Sequence, residues 1–512
     1  MSIAKRIALG VTASWISRAV AIVMGVLVLP VLFRNLSKEE LGAWLLLGQS
    51  AVAFGIFEFG FGATLSRRVA FAKSKSGSDP AAPLSEASLL EIADLITTGE
   101  RIYRCLSFFA FVFSFALGFF YLRSLHLTTI PVANVWIAWT ILCLSQAFGV
   151  WANVWNCVLL GVGYVGWDAI ICSISNSLTL LAQIAAIFAG GGLISLAAVA
   201  ATGALIQRFI LLSFTRRRRP EIFARKGSWQ PEAFRQMVPL AMRAWMTDVG
   251  SAIVLCTDQL FIASYTGTSS LPAYRAAFVL TQNFALLSNA LGAASSVFVS
   301  HLWQEGDVAG VHRILRRNLG FCWLIMLTSS AFLAVFGQQV FDVWLGPGNF
   351  IGLPILCVFL GTEVISTQSY VISLASRATE DEAFAFCSLA AGVLKLILSF
   401  FFIRAFGLLG LACATAVAML FTSQWYMTYR GLRRLKFPYS EYFLMALPYL
   451  LLFVVMIATL TGLSRLVEEI VPVARLACAA AVSGLVFAGA AYFLILDRTV
   501  VPRLFGQLSR KC

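Results

Sequence analysis

Apolar runs of bilayer length recur along this chain from one end to the other, and they constrain its fold more than any other feature. A helix needs about 20 predominantly apolar residues to cross the hydrocarbon core. Runs of that size fall at roughly 7–33, 41–63, 103–122, 131–160, 167–189, 193–214, 237–262, 273–301, 319–341, 352–376, 384–404, 407–429, 441–463 and 474–496. In lipid every backbone N–H and C=O needs an internal partner, so only helices and closed barrels span a membrane. Continuous apolar runs this long are helical. The expected fold class is therefore an all-α polytopic membrane protein of about fourteen transmembrane helices. Composition agrees, because 60% of the 512 residues are hydrophobic and only 12% are charged, too few to coat a soluble surface. The first run follows Lys5 and Arg6, outruns a signal-peptide core and lacks a small-residue cleavage site, so it reads as a retained span.

A net charge of +14 raises the question of nucleic acid. The positive-inside rule accounts for it better. An even number of spans places both termini on one side, and most of the 38 Lys and Arg fall on that side, densest at Arg216–Arg219. The N-terminal side is thus expected to be cytoplasmic, with no nucleic-acid partner. Eleven scattered cysteines without a CxxC pair read as reduced, buried thiols, and three histidines leave little for a metal site.

Weak repetition organises the chain. Leu41-Gly-Ala-Trp44 opens the second run and Leu271-Pro-Ala-Tyr274 the eighth, and the same offset lays Arg18 over Asp248. GLISLAAVAA at 192–201 matches GLLGLACATA at 407–416. Matches in this order predict two six-helix lobes related by a pseudo-twofold axis along the membrane normal, plus two C-terminal helices. The expected divisions are 1–214, an inter-lobe loop at 215–236, 237–430, and 431–512 with a cytoplasmic tail. The longest loop, 64–101, opens with the polar link KSKSGSDPAAP. It continues with a segment that puts Leu89, Ile92, Ala93 and Ile96 on one helical face, as in a helix lying on the membrane surface.

The segment Arg243–Phe261, RAWMTDVGSAIVLCTDQLF, is mostly apolar yet carries three charges. Each charge at a span centre costs about 2.5–3.5 kcal/mol on insertion scales. At 100° per residue, Gly250, Arg243, Val254, Thr247, Asp258 and Ser251 share an arc of about 100°, while Trp245, Val249, Ile253, Cys256 and Leu260 lie opposite. Such a polar stripe is tolerable only against protein or water. The eleventh run offers Ser388, Gly392, Lys395 and Ser399, and the tenth Glu363, Thr367 and Tyr370. Other intramembrane charges are Arg18, Glu58 and, near an outer end, Arg275; Arg208 lies close to a span end from which it can snorkel. Two readings stay open. The charges form structural ion pairs, Arg18 with Asp248 or Glu58 for example, or they line a wet cavity whose cations meet an anionic substrate and whose carboxylates bind a coupling ion.

Other motifs carry less. Gly161-Val-Gly-Tyr-Val-Gly166 fits a dinucleotide fingerprint but lacks the strand that chemistry needs, so it reads as a turn between spans. Asn35-Leu-Ser37 reads as a chance glycosylation match, and Trp136, Trp139, Trp151 and Trp155 as packing and interfacial anchors rather than sugar platforms. A membrane glycosyltransferase or polymerase would present acid–base residues on sizeable outer loops. The outer loops here are short, and their acids are Glu39, Glu40, Asp342, Glu468 and Glu469.

Four segments carry a family resemblance: LFRNLSKEELGAWLLLGQSAVAFGIFEFGFGATLSRRVA (32–70), the SEASLLEIADLITT helix after it, LCTDQLFIASYTGTSSLPAYRAA (255–277) and FFIRAFGLLGLACATAVA (401–418). Together they resemble the multidrug/oligosaccharidyl-lipid/polysaccharide exporter superfamily, most nearly its Wzx-like polysaccharide flippases, over most of residues 1–430. The resemblance implies a bilobed inner-membrane transporter with a V-shaped central cavity and no enzymatic activity. Its substrate would be a polyprenyl-linked oligosaccharide for O-antigen, capsule or exopolysaccharide. Membrane lipids and a polymerase or export machinery would be its partners. Arg18, Arg243 and Lys395, with Arg275 outside, would meet the pyrophosphate and acidic sugars. Glu58, Asp248, Asp258 or Glu363 would take a coupling proton or sodium ion, with no other cofactor. Thr247, Ser251, Ser388, Ser399, Thr367 and Tyr370 would line the path. The alternatives within the superfamily are a multidrug or cation antiporter and a lipid II flippase.

Overall fold

In the computed structural model, residues 3–76, 83–125, 127–379, 384–466 and 471–495 are described, and among them there is no strand. The chain divides into two compact units, Met1–Pro272 and Ala273–Cys512. The first holds α1 (Ile3–Asn35), α2 (Lys38–Gly48), α3 (Ser50–Ile56), α4 (Phe61–Ser74), α5 (Glu86–Arg123), α6 (Val132–Val162), α7 (Val165–Phe188), α8 (Leu193–Arg218), α9 (Pro220–Ala224) and α10 (Pro231–Tyr265). The second holds nearly all of α11 (Leu271–Gln304), then α12 (Val308–Trp344), α13 (Leu353–Arg377), α14 (Ala385–Met419), α15 (Trp425–Arg434), α16 (Tyr439–Leu466) and α17 (Pro472–Ala490). Each expected span is occupied by helix. The eleventh and twelfth run on through α14, which breaks at Gly407, where φ 58° and ψ −139° suit only glycine.

Two expectations about the first unit need correction. The segment after the polar link does not lie on the membrane as a separate helix. α5 runs unbroken from Glu86 to Arg123, because no proline stops it and Gly99 serves close packing against Leu65 and Val154 rather than a turn. Its apolar face, Ile92, Ala93 and Ile96, is buried in the core beside Leu65, Val69, Val154 and Ile222. The second run is not one helix either. It is divided into α2, α3 and α4, with a turn at 57–60 where Phe59 and Gly60 take positive φ. Gly60 has a second requirement, since a Cβ there would sit 2.3 Å from the Ala241 carbonyl oxygen of α10.

By sequence repetition α10 opens the second repeat; by packing it belongs to the first unit. Met237 and Ala241 are buried in that unit's core, Phe61 stacks on Phe234 at 6.0 Å, and Arg68 Nη2 donates to Gln236 at 2.9 Å. The loop before α10 is also fastened down. Asp94 on α5 accepts from the Ser228 amide at 2.6 Å and from Gln230 Nε2 at 2.8 Å. Thr98 Oγ1 accepts from the Gln230 amide at 3.1 Å, and Arg225 pairs with Glu86 at 2.6 Å.

Glu39 and Glu40 brace one end of this unit. Glu39 accepts from the amides of Thr128 (2.6 Å) and Thr129 (2.8 Å) and from both threonine hydroxyls. Burial opposes the charge on Glu39, but these bonds outweigh it and hold its pKa below the ordinary glutamate value. Glu40 accepts from the Leu193 amide at 2.9 Å, a carboxylate on the N-terminus of α8. Both acids, expected on outer loops, are thus structural struts; Glu468 and Glu469 lie outside the described residues.

In the second unit α12 is the hub. Leu315, Leu319, Cys322 and Trp323 pack with Tyr442 and Tyr449 of α16, and Phe336 packs with Met456, Leu460 and Ala479 of α16 and α17. The two helices beyond the second repeat therefore join its core.

Candidate functional site

The α10 stripe is divided by its packing. Gly250, Val254 and Asp258 are buried in the first unit, whereas Arg243 and Ser251 are exposed and Thr247 is half-buried; Asp248, outside the stripe, is exposed too. The Thr247 and Ser251 hydroxyls donate to their own helix, to Arg243 O (3.4 Å) and Thr247 O (2.9 Å), which satisfies them without a neighbour. Trp245, on the opposite greasy arc, docks on the broken second span. Its Nε1 donates to Ile56 O at 2.8 Å and its ring stacks on Phe59 at 5.1 Å. The break turns the Ile56 carbonyl out of the helical ladder, and the indole supplies a donor to it.

Glu58 stands in that same turn. Its Oε2 accepts from Asn153 Nδ2 of α6 at 2.9 Å, and Asn153 Oδ1 accepts from Arg208 Nη1 of α8 at 3.2 Å. One amide thus bridges a carboxylate and a guanidinium from three separate parts of the chain. Buried Tyr103 lies beside it, its hydroxyl 3.6 Å from Cys157 Sγ. Arg208 therefore reaches inward to a polar partner rather than snorkelling to a span end. Sequence reading missed Asn153 altogether. Two signals pointed this way: an amide in mid-span and the glycine-rich FGIFEFGFG around Glu58. The side chain of Arg18 lies outside the described residues.

In the second unit Lys395 is fully enclosed, and so is Ser399 on the same helical face, with Ser388 nearly so. Ser388 donates to Phe384 O at 3.1 Å; Ser399 Oγ and Thr367 Oγ1 are buried without a partner among the described residues. Glu363 on α13 is half-buried and meets no hydrogen-bond donor or cation among the described residues. Tyr370, two turns on, is exposed. Arg275 is half-buried with its guanidinium over the Phe278 ring at 5.3 Å. The first unit thus ties its carboxylate into a network, and the second leaves one unbonded.

The rejected motifs have plain structural roles. Gly163, at φ 104°, ends α6, and a Cβ on Gly161 would press on Ser66 O and Val69. Trp139 fills the space over Gly118, Trp155 stacks on Phe223 at 4.8 Å, and Trp136 packs on Phe119.

No family model and no curated protein matches the chain. Solved structures do. The inward closed conformation of the lipid II flippase MurJ superposes with a TM-score of 0.67 at 17% identity, over 95% of this chain and 100% of that one. An inward-facing multidrug resistance transporter of the MATE family, of the MOP superfamily, gives 0.62 at 14% identity over 85% and 95%. A MOP superfamily transporter from Pyrococcus furiosus gives 0.58 at 13% over 84% and 96%. At these identities the likeness establishes the fold alone, an all-helical fold that they share with this chain.

Proposed function

We propose that the protein is a flippase that carries a polyprenyl-pyrophosphate-linked oligosaccharide from the cytoplasmic to the outer leaflet of a bacterial inner membrane by alternating access. The product feeds cell-surface polysaccharide assembly, O-antigen, capsule or exopolysaccharide, and a polymerase or export machinery receives it. One observation carries the reading. Arg243 is exposed on a helix of membrane-spanning length, with Ser251 exposed two turns on, and an ionised group there needs water or a polar substrate rather than acyl chains. Arg243 offers the planar fork that clamps phosphate oxygens in pairs. Arg275 and Arg18 are further cations in this proposal, and Lys395, enclosed in this conformation, joins them only when alternating access opens the second unit.

Coupling falls to Glu363. A half-buried carboxylate lacking a hydrogen-bond donor among the described residues is stabilised by taking a proton or sodium ion. Glu58 already accepts from Asn153, so its charge is partly satisfied. Superposition of a lipid II flippase over 95% of this chain, against 85% for a multidrug transporter, favours a lipid-linked substrate over a free drug and keeps lipid II as the second reading.

The test is identification of the lipid-linked intermediate that accumulates when the gene is deleted, followed by complementation. Loss of surface polymer with its lipid-linked precursor trapped on the cytoplasmic face, unrescued by an Arg243→Gln, Lys395→Gln double variant present at normal levels, is the expected result. Normal export by that variant removes the assigned site. An altered drug profile with intact surface polymer removes the flippase reading in favour of an antiporter.

A further inference from the structure

We propose that a groove between α5 and α6 on the first unit binds one glycerophospholipid through its phosphodiester, as a resident lipid and not as cargo. The groove is open along its length, offers about 360 Å³ and is lined by Arg104, Ser107, Phe108, Phe111, Leu144, Ala147 and Trp151. Its depth in the membrane follows from α5 itself. Arg104 and Arg123 bracket an uncharged stretch, 105–122, about 27 Å long at 1.5 Å per residue, close to the ~30 Å of a hydrocarbon core. Arg104 therefore sits at headgroup level on the arginine-rich side, which the positive-inside rule makes cytoplasmic. Trp151 lies about 29 Å along α6 from Val132, at the same level, where indoles favour the interface.

The groove is polar at that end and apolar beyond it. The Ser107 hydroxyl donates to Ala147 O at 2.6 Å, which holds the helices together, and the small Ala147 side chain leaves the floor open. Phe108 and Leu144 are exposed along the walls, with Phe111 deeper. A guanidinium above an aromatic channel matches a phosphate above an acyl chain. Charge selects the occupant. The lining holds one cation, and the next arginine on the helix, Arg101, lies over the Trp229 ring at 5.3 Å. One arginine neutralises a phosphodiester; a polyprenyl diphosphate brings more negative charge than the groove can meet. A partner's transmembrane helix pressed into the groove would cover Arg104 without supplying an anion. This proposal rests only on the chain's being embedded in a membrane and does not require the proposed cargo.

The experiment is thermal unfolding and native mass spectrometry of the delipidated full-length protein in detergent. The probes are phosphatidylglycerol, diacylglycerol with the same chains, and a polyprenyl diphosphate. Phosphatidylglycerol is expected to bind saturably and raise the melting temperature, with diacylglycerol inert. Arg104→Gln should weaken phosphatidylglycerol binding about tenfold or more, and Trp151→Leu should weaken it too. Arg217→Gln, which removes an exposed arginine elsewhere on the same side, should leave it unchanged. Equal binding by Arg104→Gln, equal binding of diacylglycerol, or diphosphate binding that is tighter than phosphatidylglycerol and lost in Arg104→Gln would each overturn the proposal.

Discussion

Replacing Trp245 by phenylalanine isolates the hydrogen bond that α10 makes to the broken second span. The indole Nε1 lies 2.8 Å from Ile56 O; the Phe59 amide also reaches that oxygen, at 3.3 Å. Phenylalanine keeps the ring against Phe59, so the aromatic contact largely survives and the lost donor is the main change. Leaving a partly buried carbonyl with only its weaker turn bond costs about 1–2 kcal/mol, within the usual range for an unmet acceptor. That energy corresponds to roughly a 5–30-fold rise in local opening. Hydrogen exchange of the purified protein reads it directly. Amides at 57–61 should exchange faster by about that factor, while those of α12, in the other unit, stay unchanged. Trp245→Ala removes the stacking as well and should cost about 2–4 kcal/mol. Unchanged exchange at 57–61 in the phenylalanine variant would refute the idea that α10 holds this turn.

Other outcomes follow from the same contacts. Glu39→Gln should destabilise the protein by about 1.5–3 kcal/mol at neutral pH, because charge-assisted bonds to Thr128 and Thr129 are lost. The folded pKa is lowered, so this contribution is complete above the unfolded glutamate value of about 4.3 and disappears as pH falls through the lower folded one. Melting curves of wild type and variant should therefore converge in acid, and a gap that stays constant as the pH falls through the acid range would contradict the assignment. Gly227→Ala places a Cβ 2.1 Å from Ala93 O, so the loop must lift and release Ser228 from Asp94. Limited proteolysis should then cut near 225–230 in the variant and not in the wild type. Asn153→Leu removes the bridge between Glu58 and Arg208 and should cost about 1–3 kcal/mol; a double-mutant cycle with Glu58→Gln should show coupling above about 0.5 kcal/mol. Additive effects would mean that the amide does not link them.

The parts legible in the sequence were those decided within a window of about 20 residues. Apolar length and the need to satisfy every backbone group locally settle that residues 131–160 or 441–463 are helices, wherever their neighbours lie. Gly60 and Gly163 were visible as glycines, but only the first marks a broken span, because Ala241 O and the Trp245 indole come to meet it. Hydrogen bonds act over about 3 Å, so the partner of a buried charge depends on how each helix is rotated and which one lies beside it. No local pattern brings Arg208, Asn153 and Glu58 to one point, docks α10 on the first unit, or buries the face of α5 that looked ready for a membrane surface. Packing of helices distant in sequence decided those, since hydrophobicity dictates that a face be covered and leaves open what covers it.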